Sequence, residues 1–230
     1  MTQINDEDQV FSALVRDRAT GSLDSPGLQA ALHKAGFGLE TDTTGAFDQI
    51  LASHRDDMEL ASLIAGCAHA ADPSRALSNA ARLLSEPDRP PCPVNPHHLG
   101  LFLGASQHMA DLLMARPTLL SFLGRPFDSL TAPLRYQQIG SSDDADRQLR
   151  LAQQEDLLAI AWADLVERLD VEQVTGLLSR LADAVVAGAC TGLETDRYFA
   201  IVALGKLGGD LNNTSALDRT LNSAKQYRRV

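Results

Sequence analysis

Residues Glu155–Val186 read EDLLAIAWADLVERLDVEQVTGLLSRLADAVV, and this stretch decides the fold class. In its first half Leu157, Ile160, Ala161, Leu165 and Val166 fall at roughly helical spacing, and in its second half Val174, Leu177, Leu178, Leu181 and Val185 follow at offsets of three and four. Such spacing gathers apolar side chains on one stripe of an α-helix, where they can meet a core. Asp170, with Gln173 three positions on, has the form of a capping box between the halves. Upstream, Ser141-Ser142-Asp143-Asp144 supplies capping side chains and negative charge for the start of the first helix, which should reach about Arg168. The cluster Ser142–Asp146 lacks the alternating oxygen donors and central glycine of a calcium loop, so capping is the simpler reading. Trp162 lies on the same helix as a core residue.

Working towards the amino terminus, the pattern stays helical. Pro126–Gly140 reads as irregular. Before it, Ser106 caps a helix carrying Met109, Leu112 and Leu113, which Pro117 ends, and Leu119, Leu120, Phe122 and Leu123 form a short apolar successor. Five prolines fall between Pro87 and Pro96, which forbids a continuing helix and predicts an extended linker or surface strap. Asp72-Pro73 is a fresh helix start, with Asp as N-cap and Pro in the first turn. Gly45 to about His69 reads as one long helix. Two shorter helices precede it, one from about Asp6 to Arg18 and one from Pro26 to a stop near Gly36. The expected organisation is a helical region over 1–86, a proline-rich linker over 87–96 and a second helical region over 97–197.

Composition agrees with a helix-rich interior and narrows the partners. Only 5% of the 230 residues are aromatic, against 44% hydrophobic overall, a balance that favours helices over sheets. A formal net charge of -10 argues against a nucleic-acid grip and against attraction to anionic membranes. No stretch approaches about 18 uninterrupted apolar residues, and the amino terminus has no leader pattern. The three cysteines, Cys67, Cys92 and Cys190, lie far apart and point to a reducing cytoplasm. His97-His98 is the one close histidine pair, and without a Cys or carboxylate at ligand spacing it reads as a solvent-facing loop. Cys190 ends a helix as a structural thiol.

Past the decisive helices lies YFAIVALGKLGGDLNNTSALD, Tyr198–Asp218. The apolar run Tyr198–Leu204 predicts a buried strand, which Gly205 and then Gly208-Gly209 cut off. A strand feeding Gly-Lys-Leu-Gly-Gly can cradle an anion through backbone N–H groups, with Lys206 as an electrostatic helper. The spacing of a P-loop is absent.

The string FAIVALGKLGG, Phe199–Gly209, resembles the nucleotidyltransferase signature of glutamine synthetase adenylyltransferases, the bifunctional enzymes that attach and remove AMP on a tyrosine of glutamine synthetase. GASQHMADLLMARPTLLSFL, Gly104–Leu123, and the Glu155–Val186 pair resemble helices that precede the family's first catalytic domain. The resemblance implies the start of a nucleotidyltransferase fold over 198–230, adenine nucleotide and Mg²⁺ as cofactors, and glutamine synthetase and a PII-type signal protein as partners. By position it implies the AMP-removing half, whose reaction is phosphorolysis of adenylyl-tyrosine. It places Gly205, Lys206, Gly208 and Gly209 on the nucleotide and phosphate loop and Asp218 on a metal ligand. The family's signature carries Asp-x-Asp, and here Ala216 takes the first position, so one carboxylate of the pair is gone. Two carboxylates one residue apart on a strand face the same side and can hold two Mg²⁺ ions, which a lone one cannot do. The tail RTLNSAKQYRRV is polar and basic where the family has an apolar second strand. The chain is therefore expected to be mostly α-helical, a truncated relative with no intact catalytic set and inactive by itself. The alternative is a non-catalytic helical module that binds glutamine synthetase or a separately encoded catalytic portion.

Overall fold

The computed structural model describes residues 6–39, 42–53, 57–167 and 169–191, and every regular element among them is helical. They fall into two compact units, one up to Arg125 and one from Pro126. The first holds α1 (Asp6–Ala19), α2 (Ser25–Lys34), α3 (Thr43–Ser53), α4 (Asp57–Ala68), α5 (Pro73–Leu84), α6 (Pro96–Ala105), α7 (Gln107–Ala115) and a 3₁₀ turn (Pro117–Phe122). The second holds α8 (Ala132–Gly140), α9 (Ala145–Trp162), a π-helical turn (Ala163–Glu167) and α10 (Val171–Thr191). The proline-rich stretch lies within the first unit. The expected strand over Tyr198–Leu204 and the nucleotidyltransferase start lie outside the described residues.

Helix starts follow local chemistry. Asp24 accepts a hydrogen bond from the Gly27 amide at 2.9 Å, Asp72 from Arg75 at 3.0 Å and Asn95 from His97 at 2.9 Å. Each also has proline in the first turn, where no amide partner is needed. In the first unit α4 packs against α1, α5 and α6, burying Leu60, Ile64 and Cys67. Gly66 lets α6 come into backbone contact, since a Cβ there would fall onto the His97 carbonyl. Arg18 on α1 grips Asp48 on α3 with Nε at 2.8 Å and Nη2 at 2.7 Å.

The second unit is an up-down-up bundle. Along α8 and α10, Arg180 meets Ser129 and Gly188 meets Gly140, so these helices run in the same direction, while α9 runs back alongside both. Tyr136, Leu149, Ile160 and Leu181 form its core with Ala132, Ala152 and Ala184. A polar knot around the buried Asp156 ties α8 to α9. Arg135 Nη1 donates to both Asp156 oxygens at 2.8 and 3.0 Å, its Nη2 donates to Glu155 at 2.6 Å, and the Tyr136 hydroxyl donates to Asp156 Oδ2 at 2.9 Å.

Of the expected helix over Gly45–His69 the structure describes α3, packed on α2 and α5, and α4, packed on α1, α5 and α6, while residues 54–56 between them lie outside the described residues. Three expectations need correction. Pro126–Gly140 is not irregular throughout, because Ala132–Gly140 is α8. Pro133 sits in its first turn, and Asp128 accepts from the Leu130 and Thr131 amides just ahead of it. The Ser141–Asp144 run does not cap α9. Ser141 and Ser142 instead donate to the Gln137 and Ile139 carbonyls at 3.0 and 2.7 Å, closing α8, and Asp144 makes no capping bond. His97 and His98 belong to the first turn of α6, half-buried, rather than to a loop. By contrast the capping box is present, with Gln173 N to Asp170 at 2.7 Å and Asp170 N to Gln173 at 2.9 Å. Trp162 is 4% exposed.

Two predictions follow from the second unit, and Trp162, the single tryptophan, reports on both by fluorescence during urea unfolding. A Cβ on Gly188 would lie 2.6 Å from the Tyr136 carbonyl oxygen, whereas one on Gly176, also in α10, would meet nothing. Gly188→Ala should therefore destabilise by about 1–3 kcal/mol through overpacking. Gly176→Ala should stabilise by about 0.5–1 kcal/mol through helix propensity. Equal effects at the two sites would refute backbone contact. Second, burial foremost, and then the Asp156 charge, push the Tyr136 phenol well above its ordinary range. Above that ordinary value the unfolded chain gives up the phenolic proton while the folded chain keeps it, so folded stability falls as pH rises. Tyr136→Phe should cost about 1 kcal/mol at neutral pH and flatten the loss above about pH 10. An unchanged alkaline slope would show that the phenol does not set it.

Candidate functional site

The residues singled out from sequence, Gly205, Lys206, Gly208, Gly209 and Asp218, all lie outside the described residues. What the structure places is the helix that leads towards them. α10 runs from its capping box at Asp170 to Thr191, with Leu181, Ala184 and Gly188 buried against α8 and α9. By length and composition alone α10 could cross a membrane. It also carries Glu172, Arg180 and Asp183 and packs one side into the bundle.

Arg135 is the cation that sequence reasoning missed. Its guanidinium donates to the Asp156 and Glu155 carboxylates, so it joins α8 to α9. Reading Pro126–Gly140 as irregular hid it, because residues 135 and 136 then had no helix face. The available signal was Pro133 followed by Tyr136 and Gly140 at helical offsets.

No group of three His, Cys, Asp or Glu side chains among the described residues is arranged to hold a metal ion. His69, at the end of α4, brings its ring to 5.5 Å from that of His97, and His98 lies 6.1 Å from His97. The fold thus assembles three imidazoles that the sequence shows only as a pair. Cys67 is fully buried, and burial pushes its thiol far up. Burial also raises the Cys92 thiol. Neither is an activated nucleophile, which requires a lowered value. The three cysteines are free.

The implied Mg²⁺ pair can be tested against its donors. Asp218 without a carboxylate at Ala216 does not fit a two-ion clamp, which needs oxygens shared between both ions.

Comparison with known proteins agrees with the helical signature. The glutamate-ammonia ligase adenylyltransferase family matches residues 97–226, from the first turn of α6 through α10 and past the glycine loop. Two relatives, from Burkholderia mallei (strain ATCC 23344) and Burkholderia pseudomallei (strain K96243), are each a bifunctional glutamine synthetase adenylyltransferase/adenylyl-removing enzyme. Each is 36% identical over 136 aligned residues, a match that takes in 50% of this chain and 15% of the relative. No solved structure matches. With more than half of its residues inside the family's match, the chain belongs to the glutamate-ammonia ligase adenylyltransferase family.

Proposed function

We propose that this chain is a helical portion of the glutamine synthetase adenylylation system, joined to the opening of a nucleotidyltransferase fold that is catalytically inactive by itself. One observation carries the reading: the family match spans residues 97–226, from α6 past the second unit's helices to the glycine-rich sequence beyond them. On this reading Tyr198–Leu204 is the first strand, and backbone N–H groups of Gly205, Gly208 and Gly209 face an adenine nucleotide or phosphate. Lys206 adds attraction and Asp218 is the remaining Mg²⁺ ligand. Mg²⁺, when bound to a complete family site, would neutralise charge on the transferring phosphoryl group. No step is assigned to it here, because Ala216 leaves its donor set incomplete.

The partner on this reading is glutamine synthetase, the substrate in the relatives' names. A PII-type signal protein would act as a regulator, and the setting is the cytoplasm. A second reading, a non-catalytic helical module that docks on glutamine synthetase or a separate catalytic portion, is favoured by Leu130 and Leu134. They are 88% and 63% exposed beside and on α8. Large apolar side chains left in water one helical turn apart are a typical contact feature.

The deciding experiment incubates the full chain with adenylylated glutamine synthetase, inorganic phosphate and Mg²⁺. No ADP release above background is expected, with glutamine synthetase retained on the immobilised chain. Mg²⁺-dependent ADP release would overturn the inactive reading. Loss of retention in Leu130→Glu/Leu134→Glu, with Trp162 fluorescence unchanged, would identify docking through α8.

A further inference from the structure

α10 has a second, partly exposed apolar stripe. Val171, Leu178 and Val186 are 79%, 38% and 36% exposed, and Thr175, Ala182 and Ala189 continue the line between and beyond them. These positions recur at offsets of three and four, so they form one face, turned away from the side that buries Leu181, Ala184 and Gly188 against α8 and α9. The charged residues of α10, Glu172, Arg180 and Asp183, lie off this stripe.

We propose that the occupant of this face is the chain's own apolar run, Tyr198–Leu204, folded back along α10. This rests on reading that run as the strand of the proposed nucleotidyltransferase start, and three observations favour it over other occupants. The first is position: only residues 192–197 separate the end of α10 from the run, and Gly192 at the helix end favours the reversal. The second is size. Seven extended residues span about 23 Å, while the stripe from Val171 to Ala189 covers about 27 Å of helix, so the run can cover all of it but the first turn. The third is charge: a second copy of a chain with formal net charge -10 meets repulsion that an intramolecular segment without a charged residue does not. Small Ala182 and Ala189 side chains leave room for Phe199 and Ile201 to settle against the helix.

Hydroxyl-radical footprinting of the full chain tests the packing independently of any adenylyl chemistry, so its failure and failure of the functional reading are separate events. Leu178 and Val186 should be modified several-fold more slowly in the natural chain than in Phe199→Asp/Ile201→Asp, with Trp162 fluorescence unchanged. Equal rates would overturn the proposal. Protection that disappears on dilution, together with a dimer in light scattering, would overturn it in favour of a second copy. A milder probe avoids charged variants. With Cys92 and Cys190 replaced by serine, Ala182→Cys/Ile201→Cys should form an intramolecular disulfide under copper-phenanthroline oxidation. Arg180→Cys/Ile201→Cys, on the side of α10 that faces Ser129, should not. Equal cross-linking of both pairs would refute a specific docked position.

Discussion

Where Gly140 and Gly188 meet, α8 and α10 are separated by backbone alone, because a Cβ on Gly140 would fall onto the Gly188 carbonyl and one on Gly188 would crowd that of Tyr136. The rest of the second unit depends on this approach. Drawing the helices together fixes how deep Tyr136 sits, and its depth decides whether the hydroxyl reaches Asp156 at 2.9 Å. That carboxylate in turn fixes Arg135, and Arg135 reaches Glu155. A packing constraint is thereby converted into a polar register between α8 and α9. The first unit repeats the device where Gly66 admits the first turn of α6, bringing His97 against α4 and beside His69.

The polar knot is better described as specifying than as stabilising. Removing a carboxylate such as Asp156 from water is unfavourable, and its bonds to Arg135 and Tyr136 offset that cost more than they add to it. The asymmetry matters for any change: loss of Tyr136 alone leaves Asp156 held by two Arg135 bonds, whereas loss of Arg135 strands an acid in the core. Only one sliding position of α8 on α9 satisfies all three partners. A bundle cemented by Leu and Ala alone would tolerate neighbouring registers more readily.

How legible this was in the sequence depended on whether the signal was local. Asp72-Pro73 and Asp170 with Gln173 act within one turn, and each formed the bond its spacing demands. The apolar period of α9 and α10 is long enough to outvote single exceptions, which is why Trp162 could be placed in the core. Signals that depend on a partner were not legible. Ser141 and Ser142 can cap forwards or close backwards, and only the presence of α8 behind them selects the second. α8 itself is short and begins with proline, so its period is brief and Pro133 looks like a breaker although it occupies the one turn that tolerates it. The convergence of His69 with His97 is likewise tertiary, information that no single segment contains.

A similar separation holds at the glycine-rich segment, between what a backbone can do and what side chains must do. On the proposed reading the glycine loop can present N–H groups to phosphate regardless of the residues that follow, since its donors belong to the main chain. Catalysis at the same place needs cations, because adenylyl-tyrosine phosphorolysis brings inorganic phosphate to a phosphoryl group that is already anionic. On that reading Ala216 takes the place of one of two carboxylates that would hold those cations, leaving Asp218 as a lone donor. Docking through apolar faces, as proposed for α8 and α10, would draw on buried apolar area instead and would need no such ion.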